Sequence, residues 1–176
     1  VIFLIFFGLF FSIEGDAATV ANLPTDSYDA LYDLYNSTNG DNWNWQIGID
    51  AGAIWNFTEG DANPFADNWQ GVTCYCTISS CELIELSLSG YNLIGSLPNS
   101  IGAWTSMETF DLSNNHLIGT LPENISSWEA TAIEIDLSSN QLESSLPNGI
   151  YSLTLLNYLY LQDNFFHGKL SSEVKE

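Results

Sequence analysis

The stretch "LSNNHLIGTLPENI", at residues 112–125, recurs along the chain in slightly altered copies. "LSGYNLIGSLPNSI" precedes it at residues 88–101, "LSSNQLESSLPNGI" follows at 137–150, and a fourth copy begins with "LQDNFFHGKL" at 161–170. The first leucines of the copies are therefore 24 or 25 residues apart. A constant period of this length predicts stacked coils, each of which covers the apolar edge of its neighbour.

Each copy contains a short alternation of apolar and polar residues, at Leu86/Leu88, Phe110/Leu112, Ile135/Leu137 and Leu159/Leu161. Alternation of this kind predicts a half-buried strand, and equivalent strands of successive coils should stack in parallel about 4.8 Å apart. An Asn follows three of the strands, at Asn115, Asn140 and Asn164, while the first copy has Tyr91 there. We expect these three side chains to form a ladder that bonds the turning backbone of adjacent coils.

Residues between the buried positions should point to the opposite, exposed face of the sheet. They form two columns: Glu85, Thr109, Glu134 and Tyr158, and beside them Ser87, Asp111, Asp136 and Tyr160. Like charges on neighbouring strands destabilise a sheet by about 0.2–1 kcal/mol per pair. These columns therefore predict binding of a cation such as Ca²⁺ or of a basic peptide, with the tyrosines supplying apolar contact. The alternative is a solvated polar surface.

The composition excludes several functional classes. The chain of 176 residues has 22 Asp and Glu but only two basic residues, Lys169 and Lys175, for a formal net charge of −20. Such a surface repels nucleic acid and anionic membranes. His116 and His167 fall in predicted turns without a Cys or Ser placed for nucleophilic chemistry, so the sequence predicts no catalytic site.

The beginning of the sequence, "VIFLIFFGLFFSI", has the character of a secretion signal. This apolar run is shorter than the roughly 20 residues of a membrane-spanning helix, so residues 1–17 are interpreted as a signal peptide that lacks its basic first part. An uncleaved anchor is the alternative. Secretion would make Asn36, Asn56 and Asn124 glycosylation sites, because each begins an Asn-x-Ser/Thr motif.

A helix and an aromatic segment precede the copies. Tyr28, Leu31, Tyr32 and Tyr35 have the spacing of one helix face, and Thr25 or Asp26 could cap the helix start. Residues 41–69 then contain four of the six tryptophans, separated by Gly, Asn and Asp residues. Burial under the end of the core is the favoured interpretation, and a carbohydrate-stacking surface is the alternative.

Three cysteines, Cys74, Cys76 and Cys81, follow this segment. In a secreted protein one disulfide is expected, with Cys81 bonded to either of the other two, because a Cys74–Cys76 bridge would be strained. A zinc site is disfavoured because the histidines lie a repeat or more away.

The motifs together resemble plant-type extracellular leucine-rich repeat proteins. "GSLPNSI", "GTLPENI" and "SSLPNGI" match the repeat pattern of that family, while "ALYDLYNSTNGDNWNW" and "NWQGVTC" match its N-terminal cap. The resemblance implies an α/β repeat fold: a right-handed leucine-rich repeat solenoid with a parallel concave sheet, a helical Trp-rich cap at residues 18–82 and about four repeats at 83–176, truncated at the end. The family pairs the Cys of its cap motif with an earlier Cys. None precedes Cys74 here, which suggests that Cys76 and Cys81 pair instead.

The resemblance also implies a function. We expect a non-enzymatic extracellular module that binds protein, peptide or wall polysaccharide on the concave face, with any membrane attachment through a span beyond residue 176. A receptor-like ectodomain and a secreted inhibitor of a wall-degrading glycosidase are both consistent with it. An ice-binding or structural surface protein is a further alternative, since equivalent exposed positions carry Ser96, Thr120, Ser145 and Lys169.

Overall fold

A computed structural model describes residues 22–48, 51–58 and 63–169, together with two short strands near the start. These strands, β1 (Leu4–Phe6) and β2 (Leu9–Phe11), pair antiparallel. The rest of the predicted signal peptide lies outside the described residues. No helix in the described part of the chain has the length and apolar character needed to cross a membrane.

The only α-helix in the described ranges, α1 (Thr25–Ser37), packs one face on the repeats and another on the aromatic segment. Ala30, Leu31 and Leu34 are fully buried, whereas Tyr32 is 48% exposed and contacts Phe57 with its ring. The predicted capping by Thr25 or Asp26 is wrong, because the N-cap residue is Pro24 and no side chain bonds the free N–H groups. The capping signal failed because Thr25 already belongs to the first helical turn.

Three of the four tryptophans of the cap are buried, Trp45 is half-buried, and their rings form a continuous aromatic cluster. Trp43, Trp55 and Trp69 are at most 4% exposed, and the rings of Trp55 and Trp69 stack with centroids 5.6 Å apart. The indole N–H of Trp43 donates to the Thr38 carbonyl at 2.9 Å. These contacts confirm burial as the correct interpretation and leave these three rings no free face for a sugar.

Two parallel-stranded layers run through the repeats. The remaining strands, in chain order, are β3 (Val72–Cys76), β4 (Cys81–Ser87), β5 (Ile94–Ser96), β6 (Thr109–Asp111), β7 (His116–Gly119), β8 (Glu134–Asp136), β9 (Gln141–Ser144), β10 (Tyr158–Tyr160) and β11 (Phe165–Phe166). The main sheet has the order β10-β8-β6-β4-β3, in which all pairs are parallel except β3 with β4. The predicted stacking of equivalent strands is confirmed.

A second sheet, of order β11-β9-β7-β5, was not predicted. Its strands follow the Asn turns and pair in parallel, but each is displaced by two residues from its repeat equivalent. Ile94 thus lies opposite His116 rather than Ile118. The strands are two to four residues long and carry mixed residues on their exposed side, so their alternation is too short to distinguish from a turn.

The ladder asparagines join successive coils. The Asn115 amide donates to the carbonyls of Leu88 and Leu112 at 2.8 and 3.0 Å, and its oxygen accepts the Leu93 N–H at 2.9 Å. Asn140 and Asn164 make the same set of bonds one and two coils further on. Each Asn side chain therefore pairs buried backbone N–H and C=O groups of two coils. The hydrogen bonds between the strands leave these groups unpaired.

Short 3₁₀ helices cover the side opposite the main sheet, at Asn99–Ala103, Glu123–Trp128 and Asn148–Ser152. Each buries one isoleucine of the repeat, namely Ile101, Ile125 or Ile150. Helix α1 packs beside the first of them, where the Trp104 indole N–H donates to the Ser27 carbonyl at 3.0 Å. The cap and repeats consequently share one hydrophobic core.

Candidate functional site

The two predicted columns lie on the exposed side of the main sheet, which we call the strand face. Strand pairing places Glu85 opposite Thr109, Thr109 opposite Glu134, and Glu134 opposite Tyr158. The second column follows the same register through Ser87, Asp111, Asp136 and Tyr160. The inward neighbours Leu86, Phe110 and Ile135 are at most 1% exposed, so the alternation that defined the columns holds on β4, β6 and β8. On β10 the prediction is wrong: Leu159 is 37% exposed, because this strand lies at the edge of the sheet.

Asp111 and Asp136 lie directly opposite each other and also organise the turns after their strands. One carboxylate oxygen of Asp111 accepts the Ser113 N–H at 2.9 Å. The equivalent oxygen of Asp136 accepts both the N–H and the hydroxyl of Ser138, at 2.8 and 2.6 Å. These charge-assisted bonds stabilise each carboxylate and fix it at the end of its own strand, opposite its counterpart on the neighbouring strand.

At one end of the strand face lies an aromatic pair. The rings of Tyr158 and Tyr160 stack with centroids 6.4 Å apart and an interplanar angle of 4°. The side chains are 52% and 37% exposed, in contrast to the buried tyrosine Tyr91, which is 6% exposed. Two rings presented in parallel offer a flat apolar surface beside the carboxylates.

The cap extends this face in a way that the sequence analysis missed. Strand β3 runs antiparallel to β4, with Thr73 opposite Glu85 and Tyr75 opposite Glu82. Inward residues of β3 pack on the core, whereas Tyr75 is 62% exposed. The alternation of inward Val72, Cys74 and Cys76 with outward Thr73 and Tyr75 is the signal that could have identified this strand.

The cysteines show how the end of β3 is held. Cys76 and Cys81 form a disulfide that closes the β3–β4 hairpin, and Cys74 is free. Burial raises the pKa of the Cys74 thiol to about 11. This thiol is therefore protonated at neutral pH and is a poor nucleophile and a poor metal ligand.

The strand face does not form a multidentate metal site. Among the described residues, no group of three or more His, Cys, Asp or Glu side chains is arranged to hold a metal ion. The strand geometry explains this for calcium: only Asp111 and Asp136 lie directly opposite each other, whereas Glu134, on the same face of β8 as Asp136, begins about 6.6 Å further along the strand. The predicted calcium binding is therefore not supported.

Other predicted features lie away from this face. His116 and His167 are exposed on and beside the second sheet. All three predicted glycosylation asparagines are exposed: Asn36 on α1, Asn56 in the aromatic segment and Asn124 on a 3₁₀ helix. Asn124 also lines an open groove of about 680 Å³ between α1 and the 3₁₀ helices, with Asp29 and Glu129. None of the predicted modifications would obstruct the columns.

A leucine-rich repeat family model matches residues 106–128 and 133–153. No curated protein sequence matches the chain. Among solved structures, a chain of the BIR3–SERK2 complex from Arabidopsis thaliana is 31% identical, covers 78% of this chain and 68% of that one, and has a TM-score of 0.61.

Two further structures share the fold. The leucine-rich repeat ectodomain of the receptor kinase SOBIR1 from Arabidopsis thaliana is 20% identical, with 83% and 71% of the two chains covered and a TM-score of 0.63. PEPR1 in the PEPR1–AtPEP1 structure is 25% identical over 85% of this chain, with a TM-score of 0.66, and this chain spans 19% of its length. Together with the repeat register and the Asn ladder, these matches show that the chain belongs to the plant-type extracellular leucine-rich repeat family.

Proposed function

We propose that this chain is an extracellular recognition module that binds a protein or peptide segment on the strand face. The observation that carries the proposal is the in-register juxtaposition of the Asp111–Asp136 carboxylate pair with the exposed, stacked Tyr158 and Tyr160. Aromatic residues are enriched in the cores of protein interfaces, and charge complementarity guides partner choice.

Asp111 and Asp136 each bond the turn after their own strand, but neither the pairing of their charges nor the exposure of the two tyrosines stabilises the fold. Paired carboxylates on adjacent strands cost stability, and two tyrosines of this exposure leave much apolar surface in water. A binding partner would offset both costs. The BIR3–SERK2 and PEPR1–AtPEP1 structures are complexes, which supports a protein or peptide as the ligand class here.

Panning a phage library of random heptapeptides on the immobilised protein tests the location of the site. A strand-face variant combines Glu85→Gln, Asp111→Asn, Glu134→Gln and Asp136→Asn. The two Asn side chains can still accept the turn bonds from Ser113 and Ser138, so this variant should fold.

The matched control removes four exposed charges from the opposite side, by Asp29→Asn, Asp33→Asn, Glu123→Gln and Glu129→Gln. We expect peptides enriched on the wild type to bind the control equally and to lose at least about tenfold in affinity for the strand-face variant. Equal binding to both variants, or enrichment of no peptide, would overturn the proposal.

A further inference from the structure

The cap strand β3 makes the strand face longer and gives it an aromatic residue at both ends. Tyr75, on β3, lies at the edge opposite to Tyr158 and Tyr160 on β10. Ile78 is fully exposed in the hairpin tip just beyond Tyr75, which adds apolar surface at that end. The Cys76–Cys81 disulfide closes this hairpin and restrains the chain between the two residues.

The strands between the two ends carry negative charge with no compensating cation. Five carboxylates occupy the exposed side of β4, β6 and β8, namely those of Glu82, Glu85, Asp111, Glu134 and Asp136. The sequence contains no Lys or Arg before Lys169, which follows β11 on the other sheet. Glu82 accepts a hydrogen bond from the hydroxyl of Ser106, in the turn before β6 of the next coil.

We infer that the strand face binds an extended peptide segment with a basic centre and an apolar residue at each end. This inference rests on the proposed recognition function and specifies its ligand. Lys or Arg side chains at the centre would lie against the carboxylates, while the flanking side chains would pack on Tyr75 and on the Tyr158–Tyr160 stack.

The dimensions of the sheet set the length of the segment. Five strands spaced about 4.8 Å apart span about 19 Å from β3 to β10. An extended peptide rises about 3.3 Å per residue, so about six residues cross the whole face. The bound peptide crosses the strands and does not pair with an edge strand. The reason is that the carboxylates and tyrosine rings that would contact it lie on successive strands of the sheet.

Fluorescence anisotropy with synthetic heptapeptides tests the inferred order of basic and apolar residues in the ligand, separately from the location of the binding site. One labelled peptide has Lys and Arg at its three central positions and Leu at both ends. A permuted peptide of identical composition has the basic residues at the ends and the leucines at the centre, and a third has Glu at the centre.

We expect the first peptide to bind at least about tenfold tighter than the permuted one, and the acidic peptide not to bind. Raising the salt concentration should weaken binding, since the exposed charges are screened. Tyr75→Ser should lower affinity for the first peptide several-fold and leave the permuted peptide unaffected, and Tyr32→Ser on α1 is the matched control for loss of an exposed tyrosine.

The outcomes separate the inference from the proposed function. If phage-selected peptides depend on the strand-face carboxylates but have no basic centre, or if Tyr75→Ser changes nothing, the inferred ligand is wrong while the site stands. The inferred ligand is equally wrong if the first and permuted peptides bind with the same affinity, or if neither binds. Selected peptides that ignore the strand-face substitutions refute the proposed function as well.

Discussion

Ser144 adopts the same left-handed backbone conformation as Gly119, its equivalent in the preceding coil. Their φ angles are +94° and +78°, and the other two copies place Gly95 and Gly168 at this point. The position begins the return from the second sheet toward the Leu-Pro segment. A side chain there crowds its own backbone, at a cost of roughly 1–2 kcal/mol, so the third coil stores a local strain that the others avoid.

Ser144→Gly should therefore stabilise the protein by up to about 1 kcal/mol, the strain relief being partly offset by the greater freedom of glycine in the unfolded chain. Urea unfolding followed by tryptophan fluorescence measures the change. Ser145→Gly is the matched control, because Ser145 is exposed and lacks a positive φ. This control should destabilise by about 0.5–1 kcal/mol. Equal effects of the two substitutions would show that Ser144 is unstrained.

Gln70 should be among the residues of the cap that are least tolerant of substitution. Its side chain is 3% exposed, accepts bonds from the Gln46 N–H and the Tyr91 hydroxyl at 3.0 and 3.1 Å, and donates to the Gln46 and Gly52 carbonyls at 3.0 and 3.2 Å. Gln70→Met keeps the size but deprives the buried Tyr91 hydroxyl and the backbone groups of Gln46 and Gly52 of their partner. We expect a loss of about 3 kcal/mol or more in urea unfolding.

Tyr91→Phe removes one of these bonds and serves as the graded comparison. It should cost about 1 kcal/mol. A Gln70→Met variant no less stable than Tyr91→Phe would mean that the loop around Gly52 opens to water and satisfies its own backbone groups.

The two buried tryptophans of the repeats should respond differently to replacement by Phe. Trp104 and Trp128 are at most 1% exposed, but only the Trp104 indole N–H has a partner, the Ser27 carbonyl; that of Trp128 is buried without one. Both substitutions remove the same volume. Trp104→Phe should therefore destabilise the protein by about 2 kcal/mol more than Trp128→Phe, as measured by urea unfolding. Equal losses would show that the Trp128 N–H has a bound water as partner.

The protein should lose stability at high pH, because Tyr35 has a raised pKa in the folded state. Burial, followed by its 2.8 Å hydrogen bond to Asp41, raises the pKa of Tyr35 to about 12, against 10.0 for an ordinary tyrosine. The folded state thus holds the phenolic proton more tightly than the unfolded chain does. The stabilising contribution is complete below pH 10 and falls as the pH rises through this window toward 12.

Urea unfolding at pH 9 and pH 11 should show a smaller loss of stability for Tyr35→Phe than for the wild type. Both proteins should carry Cys74→Ser, which prevents exchange of the free thiol with the Cys76–Cys81 disulfide at alkaline pH. Identical pH dependence of the two proteins would mean that Tyr35 titrates normally.

Calcium should stabilise the protein no more than sodium at equal ionic strength, because no three acidic side chains in the described part of the chain are arranged to hold a metal ion together. Thermal unfolding in millimolar CaCl₂ and in matched NaCl measures this. Both salts should raise the Tm by screening repulsion among the acidic residues. A larger rise with calcium that Asp111→Asn with Asp136→Asn removes would instead indicate a specific cation site.

The repeat architecture could be predicted from the sequence because its signals are local and recur. Alternation across each strand determines which leucines face the core, and the constant period places equivalent residues beside one another. Asn115 and its equivalents were therefore identified as a ladder, and the columns through Asp111 and Asp136 were assigned with the correct register. Each of these inferences needs only the geometry of one coil and its repetition.

The cap, the second sheet and the full extent of the strand face were decided by tertiary structure. Trp104 bonds Ser27 across 77 positions of sequence, and Gln70 bonds Tyr91 across 21. Strand β3 joins the sheet because its inward side chains pack on the core, and this places Tyr75 beside Glu82. Such contacts form between segments that occur only once in the chain, so the sequence contains no repeated pattern from which they could be predicted. The free energy that favours them arises only when the coils and the cap pack together.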